Sequence, residues 1–467
     1  MNTATGRVMA ADAKMGRVAR LGLAMRRHRN AIVAAQWFVV LGYLVLVAVP
    51  AFLPLPPDEA HLWNNVTRFA QFMFWGIWWP FVILSIMALG RVWCGVLCPE
   101  GALTEWVSRH GLGRGIPRWM KWGGWPFVAF VMTTVFGQMT SVYEYPKPAL
   151  LILGGSTLAA IAVGLIWGRE KRVWCKHLCP VSGVFGLLAK IAPVHFKVDP
   201  SAWDAAPAGH RTSRRHVINC APLINIRRME SASDCHACGR CAGERDAVQL
   251  ALRSPNAEIL GHAGASIDRA EEMNPWPARL LVFGMLGVAL GAFQWSASPW
   301  LVTAKQVAAG WLVDREVWWP LNEVGHWWLF TYYPEANDVF TWLDGGILLA
   351  YIAAETLVVG GWVWGCLKLA GMLAGLPWQR LSQTLIPFAG TSVFVGLSLL
   401  TSSQLAGERV ILPWANDARM ALLALAAIWS ANLAGRMAQR NAAAGALGVL
   451  TAAALPLAAW GTQFFAW

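Results

Sequence analysis

The sequence predicts an all-α integral membrane protein with about nine transmembrane helices and one small polar cytoplasmic segment. Three observations predict it. Of the 467 residues, 56% are hydrophobic and only 14% charged, against about 25% charged in a soluble globule. Apolar runs long enough to cross a bilayer recur along the chain, since a hydrocarbon core of about 30 Å needs about 20 helical residues. The 29 tryptophans suit the aromatic belts at the two membrane surfaces.

The first apolar run, Ala31 to Leu53, follows a basic stretch holding Lys14, Arg17, Arg20, Arg26, Arg27 and Arg29. That stretch is too long for the head of a cleavable signal peptide, so the run is expected to remain as a span. Comparable runs follow at 69–90, 124–142, 148–168, 278–297, 341–366, 383–402, 418–435 and 443–464. Each is expected to be helical, because lipid offers no partners for unpaired backbone groups. Lys and Arg then set the orientation. Segments 1–30, 91–122, 169–276, 367–382 and 436–440 are basic, and 54–68, 143–147, 298–340 and 403–417 are acidic or nearly neutral. This alternation predicts a bacterial inner-membrane protein with a cytoplasmic N-terminus and a periplasmic C-terminus. The formal charge of +12 is explained by the same bias and argues against a nucleic-acid partner.

Four parts emerge. Residues 1–30 form a basic cytoplasmic N-terminus, and 31–193 a four-helix membrane unit. Residues 194–276 are a polar cytoplasmic segment, and 277–467 a five-helix membrane unit with a Trp-rich outer loop at 298–340. The first membrane unit contains a repeat. RVWCGVLCPEG at Arg91–Gly101 returns as RVWCKHLCPVSG at Arg172–Gly183, with the cysteines 81 residues apart and in register. Spans 1 and 2 with one motif are expected to be duplicated as spans 3 and 4 with the other.

Eight of the nine cysteines fall on the predicted cytoplasmic side, where thiols stay reduced, so metal binding leads over disulfides. Cys94 and Cys98 follow span 2; Cys175 and Cys179 follow span 4. Two equivalent helix ends facing one another would supply four thiolates to one [4Fe–4S] cluster. Pro99 and Pro180 interrupt each cysteine loop and permit a new helix to begin. Arg91 and Arg172 would offset part of the cluster's negative charge; simple anchoring on the basic side is the plainer reading.

The stretch DCHACGRCAGERDAV carries Cys235, Cys238 and Cys241 as C-x2-C-x2-C, the front of a bacterial ferredoxin run. Arg245 stands where the fourth cysteine of that run would be, so the fourth ligand must be remote. Cys220, in NCAPL, is the nearby candidate. A four-cysteine zinc site is the alternative, although zinc favours two separated C-x2-C pairs. The segment 194–276 is therefore expected to be ferredoxin-like, and the chain to hold two [4Fe–4S] clusters. His177 and His236 sit inside the motifs and are placed to tune them or simply to be solvated.

The doubled W-C-x3-C-P on membrane helices, followed by a ferredoxin-type triplet, resembles the polyferredoxin membrane family. That family includes the quinol dehydrogenase subunit of periplasmic nitrate reductase, the maturation regulator of nitrous oxide reductase and the cytochrome oxidase accessory ferredoxin. The resemblance covers about residues 70–245 and implies cluster ligands at Cys94, Cys98, Cys175, Cys179, Cys235, Cys238 and Cys241. Length and the extra five-span half look most like the polyferredoxin component of bacterial ferrous-iron uptake systems. Those systems also hold a periplasmic cupredoxin-like iron oxidase and an iron permease, which the resemblance implies as partners.

The expected function is transmembrane iron–sulfur electron transfer between a periplasmic metal oxidase and the cytoplasmic side. A quinol-linked or copper- or ferric-reducing polyferredoxin, and an ion transporter with structural or sensory clusters, are the alternatives. No acid/base pair or nucleophile marks a substrate-converting enzyme, and no span carries a histidine for haem. Asp344 and Glu355 lie 11 residues apart, close to three helical turns, and share a face with Tyr351. Ionisable groups inside a span are costly and mark function by default, so this pair is a candidate intramembrane ion or proton site. The outer loop, with Glu323, His326, Glu335 and Asp338 among its aromatics, is the candidate docking surface.

Overall fold

The structure is a computed structural model and describes residues 16–57, 59–205, 219–261 and 274–467. Lys14 and parts of the 194–276 segment lie outside the described residues. The protein is a multi-pass, all-α membrane protein. Helix α1 (Arg17–Arg27) precedes the first long apolar helix, α2 (Arg29–Phe52), and α3 (Val66–Leu89) follows. Then come α4 (Pro99–Ser108), α5 (Trp125–Met139), α6 (Pro146–Trp167) and α7 (Ser182–Ala189). The second membrane unit contains α8 (Trp276–Ala297), α9 (Pro299–Asp314), α10 (Trp342–Ala374), α11 (Trp378–Gly407), α12 (Ala415–Met437) and α13 (Ala442–Phe465).

Among the described residues, eight helices are long and apolar enough to cross a membrane. The ninth expected span, α5, has 15 residues, about 22 Å of helix. Trp125–Pro126 starts it late, and Thr140 and Ser141, the latter at φ 47°, end it early. It nevertheless runs alongside α8 from end to end. Trp122 just before it meets Trp276 at a ring distance of 4.9 Å, and Gln138 near its end accepts from Trp295 at 2.7 Å. The flanking turns supply the length the helix lacks.

The helix ends form two faces. One carries every cysteine motif. The opposite face collects the loops around residues 53–65, 140–145, 298–341 and 408–414, tied together by Leu62 N–H to Glu408, Tyr145 O–H to Asp338, and Trp300 against Trp467. Two short strands there, β3 (Tyr332–Tyr333) and β4 (Asp338–Val339), pair antiparallel. The loop expected at 298–340 is thus largely structured, with α9 as its first element.

The repeat is visible in three dimensions. After α3 and after α6 comes one short helical turn carrying the first cysteine, Trp93–Leu97 and Val173–His177, and then the helix after the proline, α4 or α7. Pro99 opens α4 as expected, whereas α7 begins two residues beyond Pro180. Both α3 and α6 contain a π-helical stretch, Phe72–Trp78 and Leu150–Gly154. Such widened turns recur at functional sites, and both stretches here border one interior cavity.

The polar segment contributes strands β1 (Val194–Val198) and β2 (Val248–Leu252), antiparallel with Phe196 opposite Leu250. Phe196, Val198, Ile226, Met229, Val248 and Leu250 build a small core of their own. Leu23 and Met25 of α1 pack on it, so the basic N-terminus is an integral wall of this unit.

Candidate iron–sulfur site

Cys94, Cys98, Cys175 and Cys179 gather at the end of the membrane bundle and line one cavity of about 240 Å³. Burial, then the nearby thiols of Cys175 and Cys94, push the Cys98 thiol up. Cys179 is raised by burial and then by Glu100, Cys175, Cys98 and Cys94. Burial raises Cys175 from 9.0 to about 12, opposed chiefly by Arg172. The two motifs thus lie side by side along that cavity.

Their arginines cross over. Arg172, 1% exposed, donates to the carbonyl of Cys94 in the other copy and pairs with Glu105 at 2.8 Å. Arg91, 5% exposed, reaches Ser182 at 3.0 Å, and Ser182 in turn donates to the carbonyl of Cys175 at 2.8 Å. Gly101 is the counterpart of Ser182; a methyl there would sit 3.2 Å from the Arg172 guanidinium. One copy therefore uses a bare backbone where the other uses a hydroxyl bridge. Neither arginine is a surface anchor.

The second group forms on the polar segment. Cys235 is raised by burial and then by Cys241, with Cys238 and Cys220 also contributing; Cys241 is raised by burial and then by Cys238 and Cys220, to about 12. Cys220 is held by backbone contacts on the flank of the second motif. Lys171 donates to its carbonyl at 3.0 Å, and the Arg172 N–H donates to Ala221 at 2.7 Å. Ala237 is held at φ 45° in the left-handed region, an uncommon and costly setting for alanine. That turn aims its N–H at Cys235 Sγ, 3.4 Å away. Gly101 N–H likewise points at Cys98 Sγ at 3.4 Å. Arg245 turns away from the loop and lies over the Trp203 ring at 4.7 Å.

The two groups touch. A Cβ on Gly95 would overlap the carbonyl oxygen of His236 and come within 2.9 Å of the Cys238 nitrogen. The equivalent of Gly95 in the second motif is Lys176, which instead pairs with Asp234 at 2.6 Å. Glu105 ties the assembly, accepting from Arg172, from Arg240 between Cys238 and Cys241, and from Arg29 at 3.4 Å. His236 is 2% exposed and its Nδ1 has no partner among the described residues. Burial, then Arg91 and Arg172, hold its imidazole well below its ordinary value.

All eight thiols are free, the donors are exclusively sulfur, and backbone N–H groups point at two of the sulfurs. This chemistry fits iron–sulfur ligation. Sequence reading missed Glu105, Ser182 and helix α1, whose Arg26 donates to the carbonyl of Ala242 at 2.7 Å. Asp344 and Glu355 do not form one site. Asp344 caps α10 in a reciprocal box with Thr341 and pairs with Lys305, at the membrane edge. The helical spacing was right, but the acidic residue belongs to the helix start.

A 4Fe-4S binding domain is recognised twice in the chain, at residues 71–119 and 150–199, once over each copy of the repeat. YccM of Escherichia coli, whose name assigns it provisionally to electron transport, is 24% identical over 45% of this chain and 62% of its own. The methylamine utilization ferredoxin-type protein MauN of Paracoccus denitrificans is 27% identical over 24% of this chain and 44% of its own. The ferredoxin-type protein NapH of Escherichia coli is 24% identical over 34% of this chain and 60% of its own. The chain thus spans about half to three fifths of these relatives. No solved structure matches it. The doubled domain and these relatives support a membrane iron–sulfur protein. It is similar to ferredoxin-type proteins of the NapH, MauN and YccM kind.

Proposed function

We propose that the chain is a transmembrane electron-transfer protein of a bacterial inner membrane with two [4Fe–4S] clusters on its cysteine face. Cys94, Cys98, Cys175 and Cys179 would hold one cluster, and Cys220, Cys235, Cys238 and Cys241 the other. The cysteine face and N-terminus would be cytoplasmic and the C-terminus periplasmic. Bound there, the clusters would supply one-electron redox chemistry, while the chain sets their position and electrostatics. The observation that carries this reading is the contact of Gly95 with the His236–Cys238 backbone, which brings the two thiol groups together. Arg91 and Arg172 supply buried positive charge between them. Potentiometric titration of the anaerobically purified protein tests it: a carrier requires clusters that cycle reversibly, and centres that do not cycle contradict the proposal.

The finer reading is ferrous-iron uptake. Electrons would arrive from a periplasmic, cupredoxin-like metal oxidase docked on residues 298–340, beside an iron permease. Exposed Glu323 and Glu335 on that face support it, since acidic surfaces steer cationic partners and Fe²⁺. Deleting the gene should impair growth on limiting ferrous iron and spare nitrate and nitrous oxide respiration. Cys94→Ser or Cys235→Ser should reproduce the defect.

A quinol-linked reading is favoured by the cavity beside the first thiol group. It extends into the bundle between Trp75, Trp78, Phe130 and Phe293 to Tyr143 near the opposite face, an apolar space of the kind that takes a hydrophobic carrier. Reduction of the centres by a soluble quinol analogue, abolished by Gly137→Phe in the cavity wall, would select it over the metal-oxidase reading.

A further inference from the structure

Glu355 sits deep in α10, eleven residues or about 16 Å along the axis from Asp344. It faces α8: a methyl on Gly291 would lie 3.2 Å from the Glu355 Cβ. Among the described residues its carboxyl has no basic partner. An isolated charge there is costly.

Among the described residues, Gln294 Nε2 and Gln463 Oε1 in this region lack partners, and the buried Tyr351 Oη and Ser298 Oγ have none beyond each other. Ser298 and Gln294 are each 1% exposed. Tyr351 is one turn from Glu355 on the same helix, and its hydroxyl faces both Ser298 and Glu355. Gly291, Gln294 and Ser298 follow one another at helical spacing, one stripe of α8 continued to the start of α9. Gln463 of α13 donates through Nε2 to the carbonyl of Phe293 at 3.1 Å. Because Trp362 donates to the carbonyl of Thr451, the antiparallel register of α10 and α13 brings Gln463 level with about residue 350, beside Tyr351. Three helices thus bring unmatched polar groups to one level of the bundle. Left dry, such groups are destabilising, and buried polar groups of this kind are satisfied by ordered water.

We infer that Glu355, with Tyr351, Ser298, Gln294 and Gln463, forms a hydrated proton-binding site in the membrane, reached from the face opposite the cysteines. Asp344 and Lys305 stand two turns from Tyr351 on that side and mark the mouth. The titratable groups facing Glu355 are Tyr351 on its own helix and, further out, this Asp344–Lys305 pair. Helix α13 has no ionisable side chain, and the single one of α8, Arg279, is at its far end. A lone carboxyl without a basic partner is held most cheaply as the acid, and water linked to it lets the proton come and go. The site is independent of the electron-transfer reading.

Dicyclohexylcarbodiimide, which modifies protonated carboxyls in apolar surroundings, tests it on the full-length protein in nanodiscs with peptide mass spectrometry. Modification is expected at Glu355, absent in Glu355→Gln, and falling about tenfold per pH unit above the titration point of the site. Ser298→Ala with Tyr351→Phe should slow hydrogen–deuterium exchange of the carboxyl, read as the shift of its infrared C=O band, while leaving the cysteine centres intact. No modification at Glu355 at any pH would overturn the inference. So would protection by sodium in place of alkaline pH, or carboxyl exchange unchanged in the double variant.

Discussion

Arg172 donates a hydrogen bond to the carbonyl oxygen of Cys94, and so holds the first cysteine of the other copy. Arg91 does the equivalent through Ser182 to Cys175. The duplicated motif is thereby locked as a pair in which each half positions the other. Arg172→Gln leaves the Glu105 carboxylate without its most buried partner. Loss of one side of a buried ion pair costs about 3 kcal/mol or more, so a clear fall in thermal unfolding temperature and loss of iron from the first group are expected. Lys176→Gln, which breaks the partly exposed pair with Asp234, should cost about 1 kcal/mol or less. Unfolding followed with iron analysis compares the two.

Gly95→Ala should separate the two thiol groups, because the added methyl overlaps backbone at His236 and that backbone has no rotamer to yield. Magnetic coupling between reduced centres in the EPR spectrum is expected to weaken or vanish. Gly101→Ala should be milder, since its methyl meets the end of the Arg172 side chain at 3.2 Å. Equal coupling in Gly95→Ala and the unaltered protein would refute the proposed contact.

Much of this was legible in the sequence because the repeat copies whole phrases. Cysteines at identical offsets, each after an apolar run, put the four thiols at equivalent helix ends. The Gly95/Lys176 difference is also written there, yet its meaning is not: only the fold shows that the polar segment docks on one copy and breaks the symmetry. Glu105 gave no signal, since a glutamate in a short amphipathic helix reads as solvent-facing. Helix α1 was hidden for the opposite reason. Its arginines match the positive-inside rule so well that the packing of Leu23 and Met25 on the polar segment was masked. Asp344 was misread because spacing on a helix face says nothing about which residue is at the helix start.

Cys220→Ser should remove about half of the iron and leave the signal of the first group. Cys366→Ser should leave the iron unchanged, since Cys366 lies in α10 away from both groups. Iron content per chain and EPR of each variant decide this; full iron in Cys220→Ser would show that the triplet draws its fourth ligand from elsewhere.

The metal-free protein should become alkali-sensitive. Burial raises Cys175 and Cys241 from 9.0 to about 12 in the fold, so the folded chain favours the neutral thiols. Their contribution is fully present below pH 9 and is lost as pH rises from there toward 12, because the unfolded chain ionises first. With clusters bound, the sulfurs are already ligated as thiolates and this loss disappears. The difference in unfolding temperature between loaded and stripped protein should therefore widen from pH 8 to pH 10, and a constant difference would contradict the assignment.

The central claim is that the eight cysteines form two iron–sulfur sites. Anaerobic purification followed by iron, zinc and acid-labile sulfide analysis tests it most directly. The account predicts about eight irons and eight sulfides per chain with broad visible absorption that bleaches on reduction. Stoichiometric zinc without sulfide or that absorption would contradict it.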